Sequence, residues 1–65
     1  MNKPKPGQIW ERDGRQRIVE AVRDVTQATY EVLWQSNQGG LRTTWTWCWA
    51  WEEWARKAKL VENPK

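Results

Sequence analysis

The groups in this chain that could act on a substrate are few: eight carboxylates, one thiol at Cys48 and no histidine among 65 residues. General acid–base work uses a histidine, or a carboxylate whose pKa is displaced toward the working pH. The adjacent pair Glu52-Glu53 falls in a helical pattern, where neighbouring side chains project about 100° apart, so it makes no dyad. Cys48 stands between Trp47 and Trp49 with no histidine to take its proton, and reads as a small buried residue. Gly39-Gly40 lacks the Lys-Ser/Thr that follows a phosphate loop and reads as a turn. Zinc would need Cys48 and three carboxylates, a poor ligand set. The expectation is a non-catalytic protein with no metal, no cofactor and no small-molecule substrate.

What remains is aromatic. Five of the seven tryptophans lie between Thr43 and Ala58. Trp45, Trp47, Trp49 and Trp51 alternate with Thr46, Cys48 and Ala50, the period of a strand. From Trp51 onward, Trp51, Trp54, Ala55 and Ala58 fall at helical spacing. Trp51 belongs to both patterns, which predicts a strand-to-helix corner there. The row would extend over roughly 20 Å at about 3.3 Å per residue. A small interior also holding Ile9, Ile18, Val22, Val32 and Trp34 has little room for four adjacent indoles at native density. Trp51 and Trp54 are therefore expected inward, with one or two of Trp45, Trp47 and Trp49 partly exposed. The opposite assignment, with Thr46, Cys48 and Ala50 as the inner face, also leaves indole at the surface.

Large exposed aromatics on a small domain mark a contact site. Its residues would be Trp45, Trp47 and Trp49 with Arg42 beside them, and Arg15, Arg17, Arg56 and Lys57 as a basic flank. The expected partner is a protein, either another protein or a second copy in a homodimer, since tryptophan and arginine dominate contact energetics. The alternative is single-stranded nucleic acid stacked on the same tryptophans. Eleven basic against eight acidic residues permit a polyanion without demanding one. The run Arg56-Lys57-Ala58-Lys59 reads first as a solvated helix end that complements the helix dipole, as Glu52 and Glu53 would in its first turn. Glu52–Arg56 and Glu53–Lys57 are the expected i, i+4 pairs.

The elements that must position these residues follow from turn chemistry and β-branched content. Residues 1–6 read as a flexible basic tail, 7–62 as one domain and 63–65 as a tail. Gln8–Arg12 reads as a strand, and Asp13-Gly14 as a two-residue hairpin turn that needs positive φ. Arg15–Arg23 reads as a strand, although Ile18, Ala21, Val22 and Val25 would also suit a helix. Thr29–Gln35 is a third strand with Tyr30, Val32 and Trp34 inward. A turn over Ser36–Gly40, a fourth strand from Leu41 to Trp49 or Ala50, a short helix and a brief Leu60-Val61 strand complete the chain. This is the order of a mainly β, SH3-like barrel of four to five antiparallel strands with one short C-terminal helix. With one cysteine no internal disulfide can form, and a reducing cytoplasm is expected. No apolar run approaches a membrane span, and the N-terminus lacks an apolar signal region.

The opening Pro6-Gly7-Gln8-Ile9-Trp10, Gly14-Arg15 at the first turn, the Ile18/Val19–Val22 strand and the aromatic-then-Leu60-Val61 ending also carry a resemblance. In these residues the chain is similar to very small phage and prophage proteins grouped as a domain of unknown function. That resemblance implies a phage or prophage origin and a compact β-rich fold; it supplies no active site.

Overall fold

A computed structural model describes residues 3–37 and 43–63. Strands β1 (Ile9–Arg12), β2 (Arg15–Asp24), β3 (Tyr30–Ser36) and β4 (Thr43–Trp47) form an antiparallel meander. Helix α1 (Cys48–Ala55) follows, and β5 (Lys59–Glu62) returns antiparallel beside β1. The sheet order is β4-β3-β2-β1-β5. Four meandering strands, a helix and a returning fifth strand are the arrangement expected of an SH3-like barrel. The Ser36–Gly40 turn and the start of the fourth strand fall largely on residues 38–42, outside those described.

The first turn has its physical cause in two residues. Asp13 and Gly14 both have positive φ, 53° and 80°, which is what a type I′ turn requires to match the twist of its strands. A Cβ on Gly14 would meet nothing within 4 Å, so glycine is favoured there by backbone conformation and not by crowding.

The ambiguous segment is a strand throughout, and its misleading pattern comes from a bulge. The β2–β3 register shifts between Val19 and Ala21, leaving Glu20 as an extra residue. Val19 and Val22, three apart, therefore pair with Trp34 and Val32 on the same inner face. Ile18 and Ala21, likewise three apart, pair with Gln35 and Leu33 on the outer face, and it is this spacing that imitated a helix. Ala21 and Arg23 pair with Leu33 and Glu31 on the outer face.

The strand-to-helix corner lies earlier than its hydrophobic period suggests. The fourth strand ends at Trp47 and the helix begins at Cys48, not Trp51. Cys48, Trp51 and Ala55 are its buried residues, spaced i, i+3 and i+7. Trp49 is thus on the helix and not on the strand. Glu52 and Glu53 fall mid-helix, so the first turn carries no acidic residue; the last turn holds no basic one, and Arg56 follows it directly as the C-cap. Glu53 pairs with Arg56 at i+3 across 3.3 Å, while Glu52 instead accepts a hydrogen bond from the Tyr30 hydroxyl at 2.7 Å.

The core is Val19, Tyr30, Val32, Cys48, Trp51 and Ala55, with Trp10, Val22, Trp34 and Trp54 packed against it. Trp51 is its centre, with no exposed surface. The Trp10 ring meets it edge-on at 6.2 Å and Trp54 lies 5.5 Å away. Burying one such side chain removes about 150–250 Å² from water, worth about 4–6 kcal/mol by area. Ile9 and Ile18, expected in the core, pair with each other on the opposite side from Trp10 and are half-buried. The chain ends are tied through buried Gln8, whose Oε1 accepts from the Lys5 N–H and Trp10 Nε1, while its Nε2 donates to Asn63 Oδ1. Pro4 is buried, and Lys3 reaches Asp24 at 2.7 Å.

Candidate binding surfaces

Register decides where the tryptophans of β4 point. Trp45 pairs with Leu33 and Trp47 with Glu31, the outward residues of β3, whereas Thr46 pairs with inward Val32. Thr46 and Cys48 are thus the inner side of this segment. The Thr46 hydroxyl accepts a 2.6 Å hydrogen bond from Trp34 Nε1. Trp45 and Trp47 stand on the outer face, 39% and 37% exposed. Trp49 is 68% exposed, because it lies off the Cys48–Trp51–Ala55 stripe. All three are at the surface, and Trp51 is inside. Half-buried Leu33 lies between Ala21 and Trp45 in the register.

The arginine beside this row is one that sequence reasoning missed. Arg23 reaches diagonally across β3, its guanidinium 4.1 Å from the centre of the Trp45 ring, and bonds Glu31 at 2.6 Å. Alternation could have placed Arg23 with Glu31, but the bulge at Glu20 hides the parity. Arg42 lies outside the described residues.

The expected basic flank does not gather at the row. Arg17 points inward, lying over the rings of Trp34 at 3.9 Å and Trp54 at 4.2 Å. Burial, and then the charge of Arg12, lower its pKa to about 10. Arg15 joins Arg12, Asp13, Arg17 and Trp54 around a cleft of about 530 Å³. A second hollow, about 160 Å³, adjoins Arg15, Arg17 and Trp34. Arg56 is engaged with Glu53, and Lys57 is exposed beyond the helix. The molecule therefore has two distinct surfaces, an outer tryptophan face and an arginine-lined cleft.

Other chemistry is sparse. Among the described residues no group of three or more metal-capable side chains comes together, and no helix is long and apolar enough to cross a membrane. No family model, curated protein or solved structure matches the chain. The chain's own geometry is what carries a functional reading.

Proposed function

We propose that this is a non-catalytic binding module whose outer face, Trp45 and Trp47 with Leu33 and Arg23 and extended by Trp49, contacts a protein partner. The setting implied by the resemblance is that of a phage or prophage accessory protein in a bacterial host cell. The observation that carries the reading is the exposure of three tryptophans close together in sequence, two of them on the same outer face of β4, in a chain that already fills its core with Trp51 and its indole neighbours. Indole surface left in water is costly, and covering it drives association. β4 is an edge strand, so a partner can approach the two strand indoles from the side as well as from above. The Arg23 guanidinium, already stacked and ion-paired, supplies direction at low ordering cost.

A protein is favoured over a nucleic acid at this face. Of the four proposed flanking cations, Arg15 and Arg17 line the separate cleft and Arg56 is paired. A stacked single strand would have few of them to follow its backbone.

The test is a pair of affinity captures from host lysate, with wild type and with Trp45→Ser/Trp47→Ser as bait, beside sedimentation of both proteins over a range of concentrations. The expected result is a specific partner, or a concentration-dependent dimer, present with wild type and lost with the folded double variant. Capture unchanged by the double substitution would sink the reading. So would a partner removed by nuclease or by moderate salt, since a mostly apolar contact is little affected by salt.

A further inference from the structure

We propose that the cleft between the β1–β2 turn and the end of α1 is a second site, separate from the tryptophan face, that binds a phosphate group. Three guanidiniums, Arg12, Arg15 and Arg17, face one carboxylate, Asp13, with Trp54 as the aromatic wall. The volume of about 530 Å³ lies within the range of small-ligand sites.

The charges in the cleft are not used up internally. Asp13 is almost fully exposed and its oxygen stands 3.8 Å from Arg12 Nε, a loose pair. Arg12 also donates to the Trp54 carbonyl at 3.3 Å, which docks the turn against the helix end. Among the described residues, the Arg15 guanidinium makes no hydrogen bond, ion pair or ring contact. Arg17 lies against ring faces, and among the described residues no acceptor takes its guanidinium N–H groups.

That arrangement suits an oxyanion. A guanidinium fixed by aromatic faces keeps its planar fork of donors while losing little further freedom on binding. Burial of the Arg17 charge, and then the nearby charge of Arg12, are unfavourable and lower the Arg17 pKa; an anion seated between the guanidiniums relieves both. A carboxylate satisfies one fork. A phosphate monoester carries about −1.5 to −2 charge and three acceptor oxygens, enough to meet forks from more than one arginine. The remaining volume, against Trp54, accommodates what the phosphate is attached to. Two sources share this chemistry: a free mononucleotide-sized ester, and the phosphates of a single-stranded nucleic acid.

The experiment is calorimetric titration of the full chain at low salt with inorganic phosphate, a nucleoside monophosphate and a short 5′-phosphorylated oligothymidine, and with acetate as control. The expected result is binding of at least one phosphate probe but not of acetate. Arg15→Ala should weaken it by about tenfold or more, Arg15→Lys by less, and Trp47→Ser not at all. Mononucleotide binding as tight as the oligonucleotide identifies a free ester as the source. Much tighter, steeply salt-dependent oligonucleotide binding identifies the strand. Absence of binding by every phosphate probe overturns the proposal, as do equal affinity for acetate and affinity indifferent to both Arg15 variants. Circular dichroism on Arg15→Ala checks the fold. Should that variant unfold, the charge-retaining Arg15→Lys decides: unchanged affinity overturns the site.

Discussion

Four tryptophans of this molecule face inward and three face outward, and the same side chain serves opposite ends in the two groups. Trp10, Trp34, Trp51 and Trp54 close the core, while Trp45, Trp47 and Trp49 remain in water. Each group has an arginine stacked on it. Inside, Arg17 lies over Trp34 and Trp54 and is penalised by its own burial. Outside, Arg23 lies over Trp45 with its charge answered by Glu31. Residue type therefore says little about role here. Strand parity, one bulge and the phase of one helix divide the indoles.

The largest effect that could break this division is Trp51→Ala. Removing a fully buried indole costs about 3–5 kcal/mol, comparable with the total of about 3–10 kcal/mol available to a chain this short. Thermal denaturation followed by circular dichroism should show it largely unfolded at room temperature. Trp47→Ser should melt within a few degrees of wild type. Equal losses in the two variants would erase the distinction between core and surface.

Next is Tyr30→Phe, which leaves Glu52 without the hydrogen bond from the buried phenol and should cost about 2 kcal/mol in urea unfolding. It also has a pH signature. Burial, then the hydrogen bond and charge of Glu52, push the Tyr30 phenol well above its ordinary value, with a further contribution from Cys48. The unfolded phenol ionises near pH 10 while the folded one stays protonated, so this contribution to stability is present below about pH 10 and falls as pH rises further. Arg17 works in the opposite sense: its charge is penalised when folded below about pH 10, and the penalty lifts as pH rises above about 10 toward the ordinary arginine range. Comparison with Tyr30→Phe isolates the first effect. Because Tyr30 is the sole tyrosine, absorbance of the phenolate reads it directly, and ionisation at the ordinary pKa in folded protein would contradict the assignment.

The smallest effect sharpens the comparison within β4. Thr46→Val keeps shape but removes the acceptor for half-buried Trp34 Nε1, and should cost about 1 kcal/mol. A neutral result would mean that water replaces Thr46 and that this side of the strand is less enclosed than its register implies.

Much of the fold was legible from local chemistry. Asp13-Gly14 specified its turn, and Tyr30, Val32 and Trp34 specified the inner face of β3, because both signals are short-range. The corner was misplaced because a tryptophan at every second position continues a strand pattern through Cys48–Trp51 as well as a helix does. Only packing of Cys48 and Trp51 beneath the sheet separates the two. Arg23 was missed because the bulge at Glu20 reverses strand parity ahead of it. Arg17 was misassigned for a different reason: its parity with Val19 is unbroken, but a charged side chain reads as solvated, and only the rings of Trp34 and Trp54 make an inward place for it.

Cys48, the only thiol, is buried at the first position of α1, directly between exposed Trp47 and Trp49. A thiol reagent can reach it only when the strand-to-helix junction opens, so its rate of labelling measures the frequency of that opening. Anything seated across Trp47 and Trp49 must hold the junction shut, and slows the rate in proportion to its occupancy. The chain thus carries an internal clock for traffic at its own surface, readable without dye, tag or substitution.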